Sequence, residues 1–360
     1  MAAFGSSVMA ANLKNPSLNL ADPPGQIVHH LFNIGGTPSA KGVALTPDGK
    51  EIWITLLLNK QKGVSIFDAL TGKKITDINL NNGGGVEIIF NTEGTKAYVS
   101  QMETGKVFEI DTASKKILRI FNTQGTWTKF LALSPDEKTL FASNWVSNDV
   151  SQIDLSTGKL IRKIKTVTTP RGLYVVKDNS TLYVAGYDKG EIEKIDLSTG
   201  KGNVIFKSNG AMRQIVGDDD NGVLFVSDMY WGIIYQVSMK TDKVTKFVKT
   251  DSDPNTIELS PDKKILFVSC RGKNYSADIY NIPGPEWGSV LMFDAGTGKM
   301  LDAIVGGNQP TALAISSDAT KLVFSDFLDA RLEVFQVPPY ETFLNGNGGR
   351  SFVYKKELKK

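Results

Sequence analysis

The sequence predicts an all-β fold, a single seven-bladed β-propeller of four-stranded antiparallel blades closed by an N-terminal strand. Two turn signals recur along the chain at the same spacing. Acidic turn residues stand at Asp48, Glu93, Asp136, Asp178, Asp220, Asp262 and Asp318, and a Thr-Gly type of turn follows at Thr71, Ser114, Thr157, Thr199, Thr241 and Thr297. Both series run at intervals of 42 to 45 residues and end on an interval of 56. Four-stranded units of about 40–50 residues are typical of propellers, and seven acidic turns indicate seven blades.

Each repeat has the pattern of four short strands. In the third repeat the predicted strands are Lys129–Leu133, Leu140–Ser143, Val150–Asp154 and Lys159–Ile164. They alternate apolar and polar residues, are rich in Val, Ile, Phe and Leu, and are separated by Ser-Pro-Asp and Ser-Thr-Gly turns. No segment keeps a helical period, so the fold class is all-β.

The two ends of the chain are predicted to complete the same blade. After the third strand of the seventh repeat, Arg331–Val337, the chain reaches Pro338 and Pro339, and no fourth strand follows. Residues Gly25–Phe32 have the pattern of the fourth strand of the third repeat. Pairing of these segments would close the ring and leave no long sheet edge open to aggregation.

The propeller is predicted to span residues 25–339. Residues 1–24 are expected to be a disordered N-terminal segment, in which Met1–Ala11 end like a secretory signal but lack its cationic start. Residues 340–360 are expected to be a mobile, solvated C-terminal extension, because they contain three glycines between 346 and 349 and end with four lysines in six residues. No apolar stretch approaches the ~20 residues of a membrane helix.

Composition excludes several functional classes. The chain has 360 residues, with 41 Lys and Arg against 38 Asp and Glu, which argues against a globally basic nucleic-acid-binding surface. One cysteine, Cys270, cannot form an internal disulfide, and two histidines leave little material for zinc sites or imidazole catalysis. The 34 glycines, about one residue in ten, fit a chain with many turns.

The second strands of the repeats resemble the Tyr-Val-Thr-Asn (YVTN) propeller repeat family. The resemblance is carried by Leu140–Asn144, Leu182–Gly186 and Leu266–Cys270, by the Ser-Pro-Asp turns, and by Ile-Asp-Leu-Ser-Thr-Gly-Lys segments that begin at Ile153 and Ile195. It covers residues 26–337 and implies the propeller fold. Because the family includes surface-layer proteins, binding modules and lactonase-like enzymes, the resemblance implies no single function.

Aligning the repeats predicts a cationic ring at one end of the central channel. The first strand of each blade should line the channel and begin at the face that carries the loops between blades. Seven positions before the acidic turn residues stand Lys41, Val86, Lys129, Arg171, Arg213, Asn255 and Thr311. If the four cationic side chains point inward, they form a collar suited to anions. The alternative is that they are exposed loop ends, each paired with a local acid.

Aromatic residues are predicted to gather on the same face. Trp127 precedes a first strand, and Trp145 and Trp231 lie in loops between second and third strands. The interval of 56 places an insertion in the equivalent loop of the sixth repeat, at Arg271–Gly288. Its recognition-type residues are Arg271, Tyr275, Tyr280 and Trp287. Exposed aromatic residues and arginines are enriched where proteins bind ligands, so this face is the expected binding face.

Two further rings follow from the alignment. Eight positions after the acidic turn residues stand Leu56, Gln101, Asn144, Gly186, Asp228, Cys270 and Asp326. Asp228 and Asp326 are expected at the mouth, where they would contact the ligand or neutralise Arg213 and its neighbours. Just before them lies a ring of small residues, expected to permit tight packing: Thr55, Ser100, Ser143, Ala185, Ser227, Ser269 and Ser325.

The sequence therefore predicts a non-catalytic binding protein of the periplasm, the secreted fraction or the cell surface, whose ligand is a peptide, a glycan or a small anion. The predicted ligand-binding residues are Lys41, Lys129, Arg171, Arg213, Asp228, Arg271, Asp326, Trp127, Trp145, Trp231, Tyr275, Tyr280 and Trp287. No cofactor is predicted.

Three alternatives stay open. The first, implied by the resemblance, is a lactonase-like hydrolase whose channel holds a divalent cation through Glu87, Asn144, Asp228 and Asn255. The second is binding of single-stranded nucleic acid by basic and stacking side chains. The third is a cytoplasmic location.

Overall fold

The computed structural model describes residues 15–59, 62–276 and 279–360. Within these ranges the chain forms seven four-stranded antiparallel sheets. The first strands of neighbouring blades contact one another around a ring. The predicted fold class, a seven-bladed β-propeller, is confirmed.

Six blades are built from consecutive strands. Blades 1 to 3 contain β2 Ala40–Leu45, β3 Glu51–Leu56, β4 Val64–Asp68 and β5 Lys74–Ile78; β6 Ile88–Phe90, β7 Lys96–Gln101, β8 Lys106–Asp111 and β9 Lys116–Asn122; and β10 Thr128–Leu133, β11 Thr139–Asn144, β12 Asp149–Asp154 and β13 Leu160–Lys165. Blades 4 to 6 contain β14 Pro170–Val175, β15 Thr181–Gly186, β16 Glu191–Asp196 and β17 Lys201–Lys207; β18 Met212–Asp218, β19 Val223–Asp228, β20 Ile233–Ser238 and β21 Val244–Lys249; and β22 Pro254–Leu259, β23 Ile265–Cys270, β24 Ser289–Asp294 and β25 Met300–Val305. The four predicted strands of the third repeat agree with β10–β13 to within one residue at each end.

The seventh blade joins the two ends of the described chain. It contains β26 Pro310–Ile315, β27 Lys321–Asp326 and β28 Arg331–Gln336, and its outermost strand is β1, His29–Gly35. The pairing of β1 with β28 is antiparallel, from His29 opposite Gln336 to Gly35 opposite Arg331. The strand begins four residues later than predicted. The reason is that the backbone N–H groups of Ile27 and Val28 donate to the Asp302 carboxylate instead of to a neighbouring strand.

The hydrophobic core lies between blades. One cluster, for example, joins Val43 and Ile52 of blade 1 to Val323 and Leu332 of blade 7. Strands that are covered on both faces are almost continuously buried, as in β23, where all six residues are buried. This packing explains why the second strands are so rich in Val, Leu and Phe.

The ring of small residues links neighbouring blades through hydrogen bonds. The Ser143 hydroxyl accepts from the Phe130 N–H of its own blade and donates to the Arg171 carbonyl of the next blade, at 2.9 Å. Ser100 repeats this pattern with the Lys129 carbonyl, at 2.6 Å. Tight packing alone therefore understates the role of these residues, because they also hold the backbone of the next blade at the channel.

The segments outside the blades are more ordered than predicted. The C-terminal segment contains a short helix, α1 (Tyr340–Asn345). Within this segment Phe343 is buried against blades 6 and 7, Tyr354 is buried against blades 5 and 6, and the buried Arg350 donates its backbone N–H to Asp302 of blade 6. The prediction of a solvated extension is therefore wrong.

The N-terminal prediction falls partly outside the structure. Residues 1–14, which include the signal-like Met1–Ala11, lie outside the described residues. Disorder is not met at Asn15 and Ser17, which are buried, and Asn15 donates to Asp329 at 2.8 Å. Among the helices of the described chain, none is both long and apolar enough to cross a membrane.

Candidate functional site

A β-bulge sets the direction of each cationic side chain of the predicted ring. In blade 4 the register of β14 against β15 shifts between Pro170 and Leu173, so Arg171 falls in the irregular step. The same shift occurs between Thr128 and Leu131, around Lys129, and in the corresponding strands of blades 1, 5, 6 and 7. A bulge redirects the side chain of its extra residue. The repeat thus presents one side chain per bulged blade at this end of the channel.

These side chains surround a cavity of about 1230 Å³, here called the channel mouth. Lys41, Lys129, Arg171 and Arg213 from the ring line the mouth, together with Arg271, the first residue of the insertion. The three arginines are buried, with exposed fractions of 6%, 7% and 8%. The structure therefore brings together the five cationic residues of the predicted set.

These cations have little internal compensation. None of the five makes an ion pair with a carboxylate anywhere in the part of the chain that the structure describes. A terminal nitrogen of Arg171 is buried without a hydrogen-bond partner. Arg213 reaches only the Met229 sulfur, at 3.8 Å, and Arg271 donates to the Gln309 side chain.

The electrostatic cost of this arrangement appears in the pKa values. Burial, with the nearby charges of Arg171 and Arg213, lowers the pKa of Lys129 to about 7. Burial and the positive charges of Arg213 and Arg271 lower the pKa of Lys41 well below its usual range. Burial and Arg171 also lower the pKa of Arg213, yet a guanidinium stays charged at neutral pH. The mouth is therefore a positive site without direct ion pairs, in which Glu87 near Arg171 and Asp253 near Arg271 offset part of the charge.

Aromatic rings border the cations on one side. Lys129 Nζ lies 3.9 Å from the ring centroid of Trp145 and 5.3 Å from that of Trp127. Trp145 in turn packs against Tyr187, with centroids 4.9 Å apart. Trp231 contacts Tyr230 edge-on at 4.7 Å. Trp127, Trp145, Trp231 and Tyr280 all line the mouth, together with Tyr187 and Tyr230, which the sequence analysis did not identify.

Tyr187 belongs to a ring one step beyond the one that was aligned, and Tyr230 follows the member of that ring in blade 5. Nine positions after the acidic turn residues stand Leu57, Met102, Trp145, Tyr187, Met229, Arg271 and Phe327. The first six line the mouth, and Phe327 lies under Lys41 and Arg271, at 5.7 and 5.9 Å. Every member of this ring is large, and that uniform size was the signal available in the sequence.

Trp127 has a strained backbone. Its φ is +60°, in the left-handed region, where a bulky side chain is an outlier. The equivalent positions in the other repeats hold Ser39, Gly84, Thr169, Ala211, Asp253 and Gln309. Ser39, Thr169, Asp253 and Gln309 share the positive φ, so this turn belongs to the repeat. Trp127 alone among the seven residues places an indole there, and 45% of it stays exposed.

Four residues of the predicted set do not line the mouth. The Asp228 carboxylate is fully buried and accepts hydrogen bonds from Ser208 and from the backbone of Ala211 and Trp231. Asp326 is also buried and accepts from the Gly307 N–H, and burial raises its pKa to about 7. These two acids hold loops inside their blades rather than neutralise the collar.

The other two are aromatic residues of the insertion. Trp287 is 6% exposed, because Lys360 Nζ lies over its ring, 4.4 Å from the centroid, and the C-terminal segment packs beside it. The backbone N–H of Trp287 donates to the Leu358 carbonyl of that segment. Tyr275 is 66% exposed but lies outside the cavity. The C-terminal segment supplies Lys355, Leu358 and Lys359 to the rim instead.

Beyond the mouth, the channel narrows to a cavity of about 290 Å³ that contains two carboxyl groups, Glu87 and Glu258, here called the acidic throat. Lys41 and Arg171 line both cavities. Burial and the neighbouring Glu87 raise the pKa of Glu258 to about 8. Gln214 donates to Glu258 at 3.4 Å.

The four oxygen ligands of the lactonase alternative do not form one cluster. The Asn144 side chain is used inside blade 3, where it accepts from Thr128 and donates to Asp149 and Ser151. Asp228 is satisfied inside blade 5, and Asn255 donates to the Thr311 carbonyl. No group of three or more His, Cys, Asp or Glu suited to a metal occurs within residues 15–59, 62–276 and 279–360. The donor set therefore does not fit a divalent cation.

This chain is similar to a curated protein in sequence and to solved structures in fold. The chain is 33% identical over 300 residues to Antigen Lp49 of Leptospira interrogans serogroup Icterohaemorrhagiae serovar copenhageni (strain Fiocruz L1-130). The match covers 80% of this chain and 65% of the relative, so the chain spans slightly less than two thirds of the relative's length. No family model matches, and the YVTN resemblance therefore rests on the repeat motifs.

The fold neighbour is Kuenenia stuttgartiensis Hydrazine Synthase. The two structures superpose with a TM-score of 0.71 over 84% of this chain and 97% of that one. At 17% identity the likeness shows the fold alone.

Proposed function

We propose that the protein is a non-catalytic binding protein of the cell envelope and that its channel mouth holds an anionic ligand. The observation that carries the proposal is the group of five cationic side chains, three of them buried arginines, with no carboxylate ion pair among the described residues. Buried charges without partners are costly in free energy. An anion would supply short, charge-assisted hydrogen bonds to several of them at once.

A location outside the cytoplasm is part of the proposal. The relative's name describes it as an antigen, which supports a protein at the cell surface or in the secreted fraction. Protease treatment of intact cells checks this, because a surface protein would be degraded while a cytoplasmic control protein survives. Protection of the protein in intact cells, with digestion after outer-envelope disruption, would indicate the periplasm.

The anion site is tested by charge reversal. We expect Arg171→Glu combined with Arg213→Glu to weaken the binding of inorganic pyrophosphate at least ~100-fold, because two attractive contacts become repulsive. Isothermal titration calorimetry at low ionic strength measures the affinity. The matched control is Lys116→Glu with Lys201→Glu, which makes the same change in net charge at exposed positions of outer strands.

Buried glutamates could disturb folding, so a milder pair completes the test. Arg171→Gln with Arg213→Gln keeps similar side-chain lengths and should still lower the affinity at least ~10-fold. Circular dichroism verifies that each variant is folded. Unchanged pyrophosphate affinity in a folded Gln pair would refute an anion site at the mouth.

The alternatives receive less support. The lactonase reading lacks a cluster of donors, as described above. Binding of single-stranded nucleic acid would require basic and stacking residues along an extended groove, whereas the cations here surround one cavity. A steep loss of oligonucleotide affinity with added salt would favour that reading.

A further inference from the structure

We infer that the ligand of the channel mouth is a small, flat aromatic anion with more than one negative charge. This inference rests on the proposed function and narrows it to one class of ligand. Three features of the mouth support it: the number of its charges, the hydrogen-bond donors of its five cationic side chains, and the position of its aromatic rings.

The charge of the mouth favours a ligand with several negative charges. Its lining includes nine Lys and Arg side chains, and only four Asp and Glu side chains among the residues that the structure describes. The buried arginines at positions 171, 213 and 271 come from three successive blades. A monoanion could pair with one of these guanidiniums and would leave the others uncompensated. Two or more carboxylate or phosphate groups on one ligand would match them.

The hydrogen-bonding groups of the five cationic side chains disfavour neutral polar ligands. Lys and Arg side chains donate hydrogen bonds and cannot accept them. A sugar or a peptide carries O–H or N–H donors that need acceptors when they are buried. Carboxylates and phosphates are rich in acceptors and carry no donors when ionised. The five cationic side chains therefore favour acceptor-rich anions over the glycan and peptide ligands that the sequence left open.

The rings border the cations at blades 3 to 5. Trp127 and Trp145 lie beside Lys129, and Trp231 of blade 5 lines the same cavity, with 43% of its surface exposed. Exposed indoles of this kind lose water on contact with a flat apolar ring and gain stacking energy.

A matched pair of probes separates ring recognition from charge recognition. Benzene-1,3,5-tricarboxylate and cyclohexane-1,3,5-tricarboxylate carry the same three carboxylates on a flat aromatic ring and on a puckered saturated ring. We expect the wild-type protein to bind the aromatic probe about 10-fold more tightly, as measured by calorimetry. Trp127→Leu with Trp145→Leu should bring the two affinities to within about 2-fold of each other by weakening the aromatic probe alone. Arg171→Gln with Arg213→Gln should weaken both probes by the same factor.

The outcomes distinguish this inference from the proposal beneath it. Equal affinities of the two probes for the wild-type protein would overturn the aromatic inference and leave the anion site standing. Absence of binding by both probes, at low ionic strength and millimolar concentration, would overturn both. A preference for the aromatic probe that survives in the folded Leu pair would also overturn the inference, because the ring would then bind elsewhere.

Discussion

The channel mouth and the acidic throat lie in one channel and share Lys41 and Arg171. They differ in whether their buried ionisable groups can become neutral. In the throat, burial raises the pKa values of Glu87 and Glu258, so these carboxyl groups can take up protons and become neutral. In the mouth, the guanidiniums of Arg171, Arg213 and Arg271 cannot lose their protons at neutral pH. A buried carboxylate can thus become neutral by taking up a proton, whereas a buried arginine keeps its charge and needs an anionic partner. We propose that in this protein the partner is the bound anion.

The largest expected effect comes from removing one uncompensated cation. Arg213→Met should raise the free energy of unfolding by about 2 kcal/mol, because an unpaired buried charge is replaced by an apolar side chain of similar length. Urea unfolding measures the change. The same variant should lose anion affinity, which would make the arginine a feature kept at the expense of stability.

A paired arginine provides the contrast. Arg119 on β9 contacts both oxygens of Glu109, whose side chain is fully buried. Arg119→Met should therefore lower the free energy of unfolding by about 2 kcal/mol, the opposite sign. If both variants destabilised the protein equally, the mouth cations would have hidden compensation and the comparison would fail.

The next effect tests the throat. Glu258 has a folded pKa of about 8, above the ~4.3 of an unfolded glutamate, so the native state binds the extra proton and the free energy of unfolding falls as pH rises between these values. Glu258→Gln removes this term. We expect it to match the wild type near pH 4.5 and to exceed it by about 1–3 kcal/mol at pH 9. Urea unfolding across this range measures the difference.

A surface substitution controls for general effects of pH. Glu93→Gln lies in an exposed turn of blade 2 and should follow the wild-type profile in parallel. A Glu258→Gln profile that also runs parallel to the wild type would show that this carboxyl is ionised in the folded protein.

The smallest effect sharpens the mouth. Lys129 has a pKa of about 7 in the free protein, beside Arg171, Arg213 and Trp145, and a bound anion would raise it by stabilising the ammonium form. Affinity for benzene-1,3,5-tricarboxylate should therefore fall about 5–10-fold from pH 6 to pH 9. Lys41, whose pKa is also lowered, contributes with the same sign.

Substitution identifies the titrating group. Lys129→Met should flatten most of this pH dependence, while Lys116→Met, at an exposed position on β9, should leave it unchanged. A wild-type affinity that is constant over this range would show that neither lysine changes protonation when the anion binds.

The fold could be predicted almost completely from the sequence, because the same local pattern is repeated in each of the seven blades. Each repeat confirms the register of the others, so strand positions in blade 3 were correct to one residue. The cationic ring was predicted for the same reason. The alignment did not identify residues such as Tyr187 and Phe327, which lie just past the end of a strand. The two-residue alternation stops there, so the pattern no longer predicts the direction of a side chain.

The interior acids and the C-terminal segment could not be predicted from pattern. Asp228 and Asp326 look like mouth residues in an alignment, and only the loops that donate to them reveal their structural role. Phe343 and Tyr354 are isolated apolar residues in a polar segment, without periodicity to mark them as buried. Their burial depends on surfaces of blades 5, 6 and 7, which are encoded elsewhere in the chain.

Ring closure also determines when the site can exist during synthesis. His29 and Gln336 pair across the closing blade although they lie about 300 residues apart, which a ribosome at ~5–20 residues per second covers in about 15–60 s. Through that interval β1 has no strand to pair with. Phe327, in the last blade to emerge, is also the side chain that lies under both Lys41 of blade 1 and Arg271 of blade 6. The positive pocket is thus completed only after blade 7 emerges, and a nascent chain that stops before blade 7 lacks the ring that lies under both cations.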